Sequence, residues 1–126
     1  MGTARAETTI AKPADEVWAV VGNFGELTWM PGVETCRLEG SDRVLGMFGM
    51  EITEREYKHD DAARTLTYGI VAGPVQVEKH EATITVTPKG DGSFVTWDVD
   101  TDDAMTEMML KSYQGALEAL KGQLEG

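Results

Sequence analysis

Residues 78–100 read EKHEATITVTPKGDGSFVTWDVD, and their pattern decides the fold. Residues 78–86 and 94–100 alternate apolar with polar side chains and meet at Asp91-Gly92, a pair that tolerates the positive φ of a tight hairpin turn. Ala82, Ile84 and Val86 share one face with Val95, Trp97 and Val99 of the next strand. Thr83, Thr85, Thr96, Asp98 and Asp100 take the other, so the sheet has a dry side and a wet side. From Asp103 the period lengthens to that of a helix, with Met105, Met109, Tyr113, Leu117, Leu120 and Leu124 in one stripe. An apolar stripe that follows an apolar sheet face covers it. A helix of about 22 residues is about 33 Å long at 1.5 Å per residue, enough to span a curved sheet and enclose a core or a cavity.

Working back toward the N-terminus, residues 4–10 suit a pairing strand. Lys12-Pro13-Ala14-Asp15-Glu16 opens a helix, because Pro fits the first helical position and acids in the first turn complement the helix dipole. Val17, Trp18 and Val21 form its apolar side, and Gly22-Asn23 ends it. Residues 24–29 read as a second short helical turn, broken at Met30-Pro31-Gly32. Strands are expected at 33–39, 44–48, 50–58 and 65–71. The order predicts an α+β helix-grip fold: a seven-stranded curved antiparallel sheet wrapped around a long C-terminal helix, with two short helices after strand 1.

The 126 residues suit one domain over 1–126, and 41% apolar with 26% charged residues is the balance of a folded soluble chain. Eleven basic against 22 acidic residues give a net charge of −11. Phosphate recognition depends on a basic footprint, so nucleic-acid and anionic-membrane binding are disfavoured. No apolar run follows a basic start and none approaches the ~20 residues of a membrane span, so a cytoplasmic protein without a membrane span, monomeric or homodimeric, is expected. The lone Cys36 forms no internal disulfide and has no His or Cys at metal spacing. It reads as a small core residue, and neither metal nor cofactor is expected. Phosphate-loop, nucleophile-elbow and His-Glu-x-x-His motifs are missing, which leaves nucleotide, serine-hydrolase and zinc-protease chemistry without support.

Several local strings occur in a telling order: Pro13-Ala14-Asp15-Glu16-Val17-Trp18, Gly22-Asn23-Phe24-Gly25-Glu26-Leu27, Trp29-Met30-Pro31, Ile52-Thr53-Glu54-Arg55, Asp60-Asp61 with Arg64-Thr65-Leu66-Thr67-Tyr68, Gly73-Pro74, Ala82-Thr83-Ile84, Gly90-Asp91-Gly92 and Val95-Thr96-Trp97. Together they resemble the SRPBCC superfamily of START lipid-transfer domains, birch-pollen-type plant proteins and the polyketide cyclase/dehydrase group, and are most similar to small bacterial proteins of that last group. The resemblance implies a helix-grip fold and a small hydrophobic ligand. It is weak for reaction, because the superfamily hosts carriers, receptors and enzymes. Where the group more often has an Asn-Tyr pair this chain has Lys79-His80, and no His stands between Trp29 and Pro31, so contacts made by those side chains do not carry over.

Inward polar groups are informative, since leaving one buried and unpaired costs about 1–3 kcal/mol. On strand parity, Met50 and Ile52 turn Glu54 inward, and Leu66 and Ile70 do the same for Tyr68. Counting back from Ala82 turns His80 and Glu78 inward, although Val75 and Val77 have the opposite parity and imply a bulge. Glu54, Tyr68 and His80 are therefore the candidate catalytic set, an acid–base group with Glu54 raised by burial and His80 near neutral. The plainer account pairs Glu54 with a neighbouring Arg or Lys and leaves His80 half-exposed. Trp29, Met30, Met50, Ile52, Trp97, Met105, Met109 and Tyr113 are the candidate ligand contacts, because aromatic and thioether walls suit a flat or flexible apolar molecule. A cavity is expected between Trp97, Met105 and Met109 on one side and Met30 and Tyr68 on the other. Its mouth is expected at residues 13–30 and the Gly73-Pro74 loop. The leading expectation is binding of a small hydrophobic molecule, a lipid, polyketide or aromatic compound, between sheet and helix. The alternatives are a polyketide cyclase/dehydrase-type enzyme using Glu54 and Tyr68, or a stress-response or interaction module with a vestigial cavity.

Overall fold

The computed structural model describes residues 2–74 and 77–126. Strands β1 (Gly2–Ile10), β2 (Val33–Glu39), β3 (Asp42–Met47), β4 (Met50–Asp60), β5 (Thr65–Ala72), β6 (His80–Lys89) and β7 (Gly92–Thr101) form one antiparallel sheet, with helices α1 (Ala14–Val21) and α2 (Asp103–Glu125). The strand order is β1-β7-β6-β5-β4-β3-β2. Consecutive strands from β2 to β7 pair as hairpin neighbours, and β1 closes against β7 with Gly2 opposite Thr101 and Ile10 opposite Ser93. α2 lies across β1 and β7, and α1 packs on β6 and β7. The helix-grip arrangement follows.

The β6–β7 hairpin forms as its alternation requires, with Ala82, Ile84, Val86, Val95, Trp97 and Val99 all buried. Its turn sits one residue earlier than expected. Lys89 pairs with Gly92, which leaves Gly90-Asp91 as the two-residue loop, and Gly90 takes the positive φ of 59°. Gly92 is needed for a different reason: a Cβ there would come within 2.7 Å of the Ile10 carbonyl on β1. Thr96, assigned to the wet face, is also buried, because β7 lies between β1 and β6.

The second short helix does not form. Residues 23–32 make successive turns, with Glu26 N–H donating to Asn23 C=O and Met30 N–H to Leu27 C=O. Phe24, Leu27 and Trp29 are each buried in the core, and serving those separated contacts displaces a continuous helical ladder. α1 forms where expected but starts at Ala14, with Pro13 at the N-cap rather than the first helical position, and Trp18 Nε1–H ties it to the sheet by donating to Asp61 at 2.9 Å. On α2, Met109, Tyr113, Leu117 and Leu120 are buried, Ala116 joins them, and Met105 and Leu124 pack at the ends of the stripe. Cys36 is only half-buried.

Candidate functional site

The β3–β4 hairpin sets the first part of the site. Its loop is Phe48-Gly49, and both residues have positive φ, 53° and 76°. Met47 therefore pairs with Met50, and the register carried down the strands places Arg43 directly opposite Glu54. Arg43 Nε donates to Glu54 Oε1 at 2.8 Å, Nη2 lies 2.8 Å from the same oxygen, and Nη1 donates to the Phe24 carbonyl at 3.1 Å. The guanidinium also lies against two ring faces, Phe24 at 4.0 Å and Tyr68 at 4.9 Å. Burial pushes the Glu54 carboxyl above its ordinary range, against the pull of Arg43. The expected inward placement of Glu54 holds, and its partner is the arginine of the plainer account.

Four further elements build a second polar cluster. Pairing between β5 and β6 ends at Tyr68 opposite Ala82. Past that point the Ile70 N–H donates instead to His80 Nδ1 at 3.2 Å. An Nδ1 that accepts carries no proton, so neutral His80 bears its hydrogen on Nε2 and donates it to the Tyr113 hydroxyl at 2.7 Å. Trp97 Nε1–H donates to the Tyr68 hydroxyl at 3.1 Å, and the Tyr68 and Tyr113 hydroxyls are 3.5 Å apart. The Trp97 and Tyr113 rings stack at 4.0 Å with an interplanar angle of 1°. Burial raises both phenols further above the neutral range.

His80 is buried rather than half-exposed. Burial lowers its pKa to about 4. An unfolded histidine titrates near 6.5, so between about pH 6.5 and 4 the unfolded chain takes up a proton that the folded chain refuses. The stability contributed by neutral His80 is whole above that window and is lost as pH falls through it, by up to about 3 kcal/mol. Urea unfolding at pH 7.0 and 4.5 is expected to show a steeper loss in the wild type than in His80→Gln, which keeps both hydrogen bonds without the titration. Equal slopes would remove His80 as the source.

A groove of about 330 Å³ runs between α2 and the β3–β4–β5 face. Of the candidate site residues, Met30, Met50, Ile52, Glu54, Met109 and Tyr113 line it. Trp29, Tyr68, His80, Trp97 and Met105 do not. Trp97 and Tyr68 are each 1% exposed, in the core behind the groove, because the Trp97–Tyr113 stack fills the space expected to be open. Trp29 packs on Trp97 at 5.8 Å, and its Nε1 is a buried side-chain polar atom with no partner among the described residues. Met105 lies toward the start of α2, packed against the core. Glu78, expected inward, is exposed, since β6 begins only at His80 and strand parity does not extend back to it. Val75, invoked in the same parity count, lies outside the described residues.

The remaining walls, Leu45, Met47, Phe48, Ile70, Met108 and Ser112, were not among the candidate contacts. Phe48 is the most telling of them. It is 73% exposed in a left-handed conformation that costs a non-glycine residue about 1–2 kcal/mol. Its ring rests over the Pro31-Gly32 turn, where a Cβ on Gly32 would come within 2.8 Å of it. The mouth is thus framed by Met30, the β3–β4 turn and Met108, not by α1, which packs elsewhere, nor by Gly73-Pro74. Gly73 borders a separate surface depression that reaches Glu78 and Asp102. That depression is larger, about 540 Å³, and shares Ile70 with the groove, but none of Glu54, Tyr68, His80, Trp97 and Tyr113 lines it. Among the described residues no helix is long and apolar enough to cross a membrane, and no group of three or more His, Cys, Asp or Glu could hold a metal.

The family model described as polyketide cyclase / dehydrase and lipid transport matches residues 1–125. The protein XoxI from Bacillus cereus is 26% identical, with a TM-score of 0.92 over 98% of this chain and 96% of that one. A Thermobifida fusca protein is 32% identical, with a TM-score of 0.82 over 99% of this chain and 96% of that one. The di-domain ARO/CYC BexL from the BE-7585A biosynthetic pathway shares the fold at 19% identity and a TM-score of 0.82, covering 99% of this chain and 47% of that one. No curated protein matches in sequence.

Proposed function

We infer, for a chain that belongs to the polyketide cyclase / dehydrase and lipid transport family, that the groove between α2 and the sheet binds a small hydrophobic molecule non-covalently. One observation carries the reading. The walls of a 330 Å³ space are thioethers, aliphatic side chains and aromatic rings, with Glu54, Ser112 and Tyr113 as the residues among them that carry side-chain polar groups. Methionines on three sides, Met30, Met47 with Met50, and Met108 with Met109, repack around varied shapes at little cost. An exposed strained aromatic at the rim adds to the reading, because strain and exposed apolar surface tend to be kept where a ligand uses them.

Binding is favoured over catalysis by where the polar groups point. Of the acid–base candidates Glu54, Tyr68 and His80, only Glu54 borders the groove, and one of its oxygens is committed to Arg43. Tyr68 and His80 spend their polar atoms on Trp97, Tyr113 and the Ile70 amide. A cyclase would need two such groups within hydrogen-bond reach of one substrate atom.

The test is titration with a neutral apolar probe, 2-ethylnaphthalene, together with native mass spectrometry for co-purified ligand. Saturable one-site binding is expected. Met108 is 53% exposed, so Met108→Glu leaves the fold intact while placing a charge at the mouth. It is expected to weaken the probe roughly tenfold, the effect of about 1.4 kcal/mol. Absence of saturable binding, or binding indifferent to Met108→Glu, would favour an interaction module with a vestigial cavity.

A further inference from the structure

The hydrogens of the buried aromatic cluster do not all find acceptors within it. The Ile70 amide takes His80 Nδ1, His80 Nε2–H takes the Tyr113 oxygen, and Trp97 Nε1–H takes the Tyr68 oxygen. One contact is left, between the two phenols, and it can use only one of their two hydrogens. Tyr68 is 1% exposed and does not border the groove, so an O–H turned away from Tyr113 would face no acceptor at all. Burying a hydroxyl in that way is unfavourable, and the Tyr68 hydrogen therefore goes to Tyr113. The Tyr113 hydroxyl then accepts twice, from Tyr68 and from His80, and its own hydrogen remains unspent. Tyr113 is a wall of the groove.

Glu54 borders the same space. Its Oε1 is held by Arg43, and the carboxylate has no further partner among the described residues. Arg43 itself is buried behind Glu54 with its donors on Glu54 and the Phe24 carbonyl, and it is not a wall of the groove. A ligand carboxylate would meet Glu54 with no free cation to offset it. The walls carry two hydroxyls, and Ser112 is exposed to solvent, so the Tyr113 O–H is the buried donor that a neutral acceptor meets.

Resting on the reading of the groove as a ligand site, we propose that it selects a neutral apolar molecule carrying a carbonyl oxygen, which accepts from the Tyr113 hydroxyl, and that it rejects free carboxylates such as fatty-acid anions.

Three probes of one shape test it by calorimetry on the full chain at pH 7: 2-acetylnaphthalene, 2-ethylnaphthalene and 2-naphthoate. The ketone is expected to bind roughly tenfold more tightly than the hydrocarbon, the effect of one hydrogen bond, and the carboxylate more weakly than either. Tyr113→Phe should bring the ketone down to the hydrocarbon's affinity while leaving the hydrocarbon within about twofold. Should that variant fail to fold, the infrared carbonyl stretch of wild-type-bound 2-acetylnaphthalene decides the matter. A hydrogen-bonded carbonyl lies below its frequency in alkane solution, and an unshifted band overturns the proposal. Equal affinity for all three probes, or tightest binding of 2-naphthoate, refutes this selectivity while the ligand groove stands. No binding by any of them refutes the groove reading and this proposal with it.

Discussion

Replacing Arg43 by methionine is expected to cost about 3–5 kcal/mol of unfolding free energy, the toll of leaving one member of a buried ion pair uncompensated. Both partners are enclosed, with side chains 4% and 10% exposed, and the cation holds Glu54, the Phe24 carbonyl and two ring faces at once. Removing it strands the carboxylate and frees the turn that positions Phe24. The size of the loss does not mean that the pair stabilises the fold relative to an apolar one. Arg43→Met with Glu54→Leu should recover most of the loss, because well-packed apolar replacements of buried pairs are often neutral or better. Urea unfolding of the two single variants and the double variant forms the cycle. A single-variant loss under about 1 kcal/mol would mean that water reaches the pair and that the groove is wetter than its walls imply.

Trp97→Ala is expected to be comparably damaging, about 3–5 kcal/mol, because a large buried ring leaves a cavity that the surroundings fill only in part. Trp97 stacks on Tyr113, packs against Trp29 and supplies the hydrogen bond to Tyr68. Trp97→Phe retains a ring for the stack and should recover more than half of that loss, leaving mainly the missing hydrogen bond of about 1 kcal/mol. Thermal or urea unfolding separates the two. The stronger check is ligand binding: Trp97 lies behind Tyr113 rather than on the groove wall, so Trp97→Phe should leave affinity for a naphthalene probe nearly unchanged. A large affinity loss in that variant would place Trp97 in contact with ligand after all.

Both predictions concern side chains whose role depends on where strands meet. Glu54 was legible from its own strand, since Met50, Ile52 and Glu54 alternate. Arg43 was not, because the strand that carries it was read as starting at Val44, one residue too late to include it. The signal lay in the Phe48-Gly49 loop. Once that loop is taken as two residues, Met47 faces Met50 and the register alone brings Arg43 opposite Glu54. His80 and Tyr68 were expected to face inward, and they do, but parity tells only the side of a sheet. It cannot tell whether an inward side chain reaches open space or is covered by a helix.

The sequence by itself determined the seven strands, the terminal helix and the apolar faces that join them, because period-2 and period-3.6 patterns and turn residues are local physics. It also determined the acidic surface and the methionine and aromatic stock of the interior. Tertiary structure alone decided that Trp97 and Tyr113 stack and close one part of the expected cavity, that residues 23–32 give up a helix to place Phe24, Leu27 and Trp29 in the core, and that the mouth lies at Phe48, Met30 and Met108. The orientation of His80 belongs with these, since its tautomer is set by an amide on another strand and its hydrogen by a phenol on the helix. Such outcomes depend on distances between elements far apart in the chain, which curvature of the sheet and the seating of α2 fix together, and no local pattern encodes them.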